Sequence, residues 1–437
     1  ISIMGRDGRA GVLPFVCGLS IGLSAALLLA RDGARPGARP AGLSLDNPVR
    51  DHALCDAPVT ILSLDGGGMR GLIGSTILEE LEEILSTKAG RKVRAGDYFD
   101  VIVGTSTGGL QASSLATGQD AATISELYTR RARDIFNNDT LNCRPEHRAE
   151  IQAHCSFDFY NVGGLFYKCL PALTHCYLTY PKYDSAGLEA VVDEYAGERT
   201  TADDFGGRVL ALTAFDLLRG GPVTFTNLGA TPESTYRLRD ALLATSAAPT
   251  FLNPHNMTCS TCAPGEGDIL AVDGAIYANN PALIAYELAE KMAAERRGCQ
   301  LTPDRTLMLS LGTGRERSDL YRTGNVDLTG NTLGSALKTV VQFLAYNDTA
   351  WWEDQWGVLK WVVLPLTVPQ LELLNAAFIG QEELTDQFFR KVFAASGDGG
   401  RYVRVQVDLS RFDHADGFGA APENVELLRS VGLEAAD

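Results

Sequence analysis

Two hydrophobic regimes divide the chain. Residues 11–30 form an uncharged run of twenty, preceded by Arg6 and Arg9 and followed by Arg31, Arg35 and Arg39. The run is long enough to span a bilayer as a helix, and a basic start before an apolar middle also fits a secretory signal. Passage into the secretory pathway, with residues 1–30 cleaved or kept as an anchor, is favoured over a buried core helix. Residues 31–57 are rich in Pro, Gly and Arg with no apolar period, and read as a linker.

From Val59 onward, short apolar runs alternate with helical periods. Strands are expected at 60–64, 101–103, 208–213, 223–226, 270–272 and 307–311, and helices at 72–86, 121–136 and 282–296. In 72–86, Leu78, Leu81, Ile84 and Leu85 share one side of the helix. This alternation predicts an α/β domain with a largely parallel sheet flanked by helices. Ligands of such sheets bind beyond the carboxyl ends of the strands, and two glycine-rich loops follow strands at that kind of position.

Composition narrows the function. A chain of 437 residues with 45% hydrophobic and 21% charged residues can bury a large globular core. The net charge of −16 and the lack of a long basic run argue against nucleic acid as a partner. They argue equally against electrostatic capture by anionic membranes, so any contact with a membrane surface must be apolar, local or anchored. Of the nine cysteines, eight lie beyond the N-terminal apolar run. Disulfides in an oxidising compartment rank ahead of metal, with free thiols close behind. The metal alternative rests on the dense set from Cys143 to Cys176 and on His255, Cys259 and Cys262, but a single C-x₂-C completes no common zinc module. Sequons at Asn138, Asn256 and Asn347 suit a secreted glycoprotein.

The candidate chemistry sits in three stretches. Residues 61–71, ILSLDGGGMRG, run from a strand through a glycine loop into a helix and present backbone N–H groups to an anion. Gly66, Gly68 and Gly71 fit a dinucleotide fingerprint. The same loop also fits an oxyanion hole, which holds the O⁻ that develops in acyl transfer, and a plain strand–helix turn is the third reading. Residues 100–109, DVIVGTSTGG, set Gly104, Ser106 and Gly108 in G-x-S-x-G between a strand and a small-residue helix, the context of a nucleophile elbow. The competing reading is a glycine-rich turn with an incidental serine. A serine hydroxyl needs a base. No later histidine occupies an obvious catalytic loop, and His255, the best of them, reads as surface or structural. Asp273 ends an apolar run just before Gly274 and Ala275. Burial would raise its pKa from about 3.9 and improve it as a proton acceptor. A turn or capping aspartate is the plainer alternative.

DGGGMRG, GTSTG and DGA, in that order, resemble the patatin-like phospholipases. Residues 242–251 (LLATSAAPTF), 278–282 (ANNPA) and 309–314 (LSLGTG) are similar as well, so the likeness covers about 59–314, with a weaker trace at 401–409. The resemblance implies a three-layer α/β patatin-like architecture, with 58–314 as the catalytic core and 315–437 as a helical region completing the same domain. It implies a Ser–Asp dyad without histidine, metal or cofactor. Ser106 would be the nucleophile and Asp273 its base, with Gly66, Gly67, Gly68, Arg70 and Gly71 around the oxyanion. The implied reaction is hydrolysis of fatty-acyl esters of phospholipids or glycerolipids at a membrane surface. The dinucleotide reading falls behind because it leaves Ser106 and Asp273 unexplained. A storage or lipid-binding protein of the same fold and a non-lipid carboxylesterase are the functional alternatives. Residues 142–180 and 259–267 depart from the family pattern and could shape the mouth of the site. Trp351, Trp352, Trp356 and Trp361 are read as core ahead of a lipid-facing surface.

Overall fold

The structure, a computed structural model, describes residues 57–136, 149, 180–229, 236–258, 267–315, 372–412 and 419–436. The apolar N-terminal run, the linker, nearly all of the two departures from the family pattern and the four tryptophans lie outside the described residues.

Among the described residues eight strands form one sheet: β1 (Val59–Leu64), β2 (Val101–Thr105), β3 (Val209–Asp216), β4 (Gly221–Thr226), β5 (His255–Met257), β6 (Ile269–Asp273), β7 (Thr306–Leu311) and β8 (Tyr402–Val405). The run β3-β2-β1-β7-β8 is parallel throughout. β4 and β6 pair antiparallel with β3, and β5 with β6. The helices are α1 (Gly71–Ala89), α2 (Thr107–Ala116), α3 (Ala121–Arg130), α4 (Ala132–Ile135), α5 (Ser185–Ala196), α6 (Leu238–Thr245), α7 (Ala275–Ala278), α8 (Ala282–Met292), α9 (Glu372–Ala395) and α10 (Pro422–Ala436).

Successive strand side chains point to opposite faces, and here both faces are apolar. On β1, β2 and β3, Leu62, Leu64, Ile102, Leu210 and Leu212 join the core built with α1, α3, α5, α6 and α10. Their neighbours Val59, Ile61, Val101, Val103, Val209 and Ala211 join a second core with α8 and with Phe389 and Phe393 of α9. Helices therefore cover the sheet on both sides, the three-layer arrangement expected of continuous apolar strands.

Two expected helices are interrupted. The span 121–136 breaks at Arg131, whose guanidinium pairs with Asp134 at 2.7 Å and with Glu194 of α5. The break brings α4 onto α5 at Gly187, where any Cβ would collide with the Asp134 carbonyl. The span 282–296 is α-helical to Met292, then widens into a π turn that ends at left-handed Gly298 (φ 64°). Cys299 beyond it is disulfide-bonded.

The pairing of β3 positions the site. β4 pairs with residues 211–216 of β3, β2 with 209–213 and β6 with 214–216. A strand has two edges, so β2 and β6 must share the edge opposite β4. They run towards each other and meet end to end. Thr105 of β2 pairs with Thr213, and the next place along that edge, opposite Ala214, is taken by Asp273 of β6. Ser106 would have filled it had β2 continued by one residue.

Candidate active site

Where β2 gives way to Asp273, the chain turns out at Ser106 with φ 55° and ψ −124°. Ser106 and Thr250 are the two non-glycine residues with positive φ among the described residues. Such a conformation costs about 1–3 kcal/mol and projects the nucleophile of an elbow out of the sheet. The flanking glycines make the bend possible. A Cβ on Gly104 would collide with the Gly108 carbonyl, and one on Gly108 with the Leu64 carbonyl. The Ser106 carbonyl accepts the Gly109 and Leu110 N–H groups at 2.8 and 3.2 Å, and its own N–H donates to Thr245 Oγ1 at 2.9 Å.

Asp273 is buried, its carboxylate accepts the Ala275 N–H at 2.8 Å, and the Ser106 side chain stands close enough to it to pull its pKa down. Thr105 Oγ1 donates to the Ala278 carbonyl and bonds Thr213 Oγ1, both at 2.7 Å, which pins α7 over the junction. Gly274 packs so close to Thr213 that a Cβ would overlap its hydroxyl. Burial pushes the Asp273 carboxyl up to about 7, against the opposing pull of the neighbouring Ser106 side chain and the Ala275 N–H. His255 lies elsewhere, with Nε2 3.1 Å from Asp240 Oδ1.

The glycine loop closes over the same point. A Cβ on Gly66 would come within 3.3 Å of Ser106 Cβ. The Gly66 N–H donates to the Asn279 carbonyl at 3.2 Å, and the Gly66 carbonyl accepts Thr313 Oγ1 at 2.7 Å. Gly68 has φ 56° and opens a short 3₁₀ turn to Arg70. Of the five positions expected around an oxyanion, Gly67 and Gly68 have backbone N–H groups with no acceptor among the described residues. The N–H groups of Gly66, Arg70 and Gly71 are committed to Asn279, Gly67 and the turn carbonyls. Arg70 Nε is buried without a partner among the described residues.

A sequence model described as patatin-like phospholipase matches residues 62–286, just over half of the chain, which includes all three stretches. The chain belongs to the patatin-like phospholipase family. A Solanum tuberosum protein named "Probable inactive patatin-3-Kuras 1" is 30% identical over 86% of this chain and 85% of its own length. Patatin-01 of the same plant is 29% identical over 86% and 82%, and patatin-like protein 1 of Arabidopsis thaliana 28% over 86% and 81%. At the family level this is a lipid acyl hydrolase fold.

Beneath the glycine loop the patatin-like core holds a buried charge cluster that sequence reasoning missed. Arg404 of β8 forks onto Asp65, with Nη1 2.8 Å from Oδ1 and Nη2 on Oδ2, and Glu382 of α9 lies 3.8 Å from the same guanidinium. Glu382 also accepts Asn279 Nδ2, and Gln406 Nε2 at 3.0 Å. Burial alone would lower Arg404, but the charges of Asp65 and Glu382 hold it above the ordinary guanidinium range. Burial raises Asp65 to about 7 despite Arg404, and Glu382 and Asp386 push the same way. Asn279 and Thr313 lie in ANNPA and LSLGTG, and Thr245 in LLATSAAPTF. Those segments matched the family pattern, but local sequence carried no hint of what each residue holds.

Ser106 opens onto a cleft whose empty space, the open mouth included, is about 610 Å³. Its walls are Met69, Leu110, Leu127, Ile135, Phe136, Leu188, Val191, Phe251 and Leu252, with few polar groups among them. Among the described residues no helix is long and apolar enough to cross a membrane.

Proposed function

We propose that the chain hydrolyses fatty-acyl esters of phospholipids or glycerolipids through Ser106 and Asp273. The observation that carries this reading is the juxtaposition of a strained, projecting serine with a buried carboxylate, where β2 and β6 meet end to end, at the wall of an apolar cleft. Ser106 Oγ attacks the ester carbonyl and passes its proton to Asp273. The tetrahedral oxyanion takes the free N–H groups of Gly67 and Gly68. Collapse expels the alcohol, protonated by Asp273, and leaves the acyl chain on Ser106 within the cleft. Water then gives a proton to Asp273 and attacks the acyl carbonyl; on collapse Asp273 returns that proton to the departing Ser106 Oγ, which releases the fatty acid and restores both side chains. A buried base near neutrality suits both half-reactions.

Substrate in a membrane would be reached by local apolar contact. Leu217 and Leu218, at the tip of the β3–β4 hairpin beyond the carboxyl end of β3, are 46% and 63% exposed. The disulfide at Cys299 supports an oxidising compartment.

A base acts only when ionised, so kcat/KM should rise with pH through about 7 and level off above it. Stability should move the other way. The folded protein keeps a proton that the unfolded chain loses near 3.8, so this contribution is complete below that value and lost as pH rises through about 7. A pH–rate profile, with melting temperatures across the same range, checks both. The function itself is tested by labelling with a long-chain fluorophosphonate and mapping the modified peptide. Label on Ser106, absent from Ser106→Ala, supports the acyl hydrolase. No label, where a control serine hydrolase reacts, would leave a lipid-binding protein of the same fold.

A further inference from the structure

Beside the cleft lies a second, partly open pocket with room for about one water molecule, bordered by Ser113, Ser114, Thr117, Val192, Tyr195 and Leu242. The Thr117 hydroxyl is turned onto the Ser113 and Ser114 carbonyls at 2.9 and 3.0 Å, so it presents no unmet donor. Leu110 of α2, Leu127 of α3 and Val191 of α5 line both spaces. The partition is therefore one side chain thick.

The three partition residues are not equivalent. Leu127 and Val191 are 5% and 1% exposed and bind α3 and α5 into the main core. Leu110 is only half-buried and lies one helical turn beyond Ser106, its N–H on the Ser106 carbonyl at 3.2 Å. An acyl chain held at Ser106 meets Leu110 before it can reach the second pocket.

We propose that Leu110 sets the length of acyl chain the cleft accepts, and that the small second pocket is a continuation of the cleft that Leu110 closes off. The inference rests on the acyl-hydrolase reading for its ligand, but it makes a claim about binding alone. Each methylene that finds apolar room tightens binding about fourfold. When the chain reaches the partition, the gain should stop.

The experiment titrates even-numbered saturated fatty acids from octanoate to stearate into Ser106→Ala protein, by calorimetry, alone and combined with Leu110→Ala or Leu110→Phe. Affinity should climb with length and then break to a plateau. The break should move to chains longer by about two to four carbons in Leu110→Ala, where the two spaces join, and to shorter chains in Leu110→Phe. A merely loosened fold would weaken every length by a similar factor and leave the break in place. A break at the same length in all three proteins overturns the role of Leu110, and no length-dependent binding in any of them overturns the acyl occupant. Failure of the hydrolase reading would show separately, as unlabelled Ser106 in the otherwise wild-type protein.

Discussion

Ser106→Ala and Asp273→Asn should each lower turnover of a long-chain ester by at least about a thousandfold, and the double variant should be little worse than either alone. In the proposed mechanism the two side chains act as one unit. Without the hydroxyl there is no acyl-enzyme, and without the carboxylate the hydroxyl keeps its proton. Alanine at 106 inherits the same positive φ, so the fold should not relax around it. Asparagine at 273 has the shape of aspartate and can still accept the Ala275 N–H, but it cannot take up a proton near neutrality. Asp273→Asn should therefore also lose the pH-dependent fall in stability and melt no lower than wild type above pH about 7. Steady-state rates together with melting curves separate loss of chemistry from loss of fold. Near wild-type turnover in Asp273→Asn would remove it from the mechanism.

Arg404→Met carries the second large effect, on stability. Arg404 and Asp65 are 3% and 0% exposed at their side chains, and Glu382 is within 4 Å of the same guanidinium. Removing the cation leaves two buried carboxyls facing each other, an arrangement that costs about 3–5 kcal/mol when one partner of a buried pair is deleted. Protonation of Asp65, already raised to about 7, should soften the loss at low pH, so the variant should be least impaired in acid. Arg404→Lys should fall in between, because a lysine keeps the charge but cannot fork onto both Asp65 oxygens. Urea titrations at two pH values measure the effect. A change below about 1 kcal/mol would mean that the cluster is screened more like a surface pair. Through Glu382, Asn279 and Gly66 the same cluster braces the glycine loop, so Arg404→Lys should lower kcat more than it raises KM.

Much of this protein was legible in its sequence because the governing interactions are local. Alternating short apolar runs and helical periods predicted the α/β class, and apolar residues on both faces of β1, β2 and β3 account for the third layer. Gly104 and Gly108 around Ser106, and the triple glycine before Arg70, mark bends that only small residues permit. The order of the motifs pointed to the family. What the sequence could not express is which edges and side chains meet. The end-to-end junction of β2 and β6 on one edge of β3 depends on registers set by distant strands, and it alone brings Asp273 to Ser106. The Arg404–Asp65 fork, the commitment of the Gly66 N–H to Asn279, the hold of Thr245 on Ser106 and the thin partition at Leu110 each join segments far apart in the chain. Periodicity reports which residues share a face. Burial, pairing and pKa depend on what lies against that face, and only the folded sheet and its two helical layers determine it.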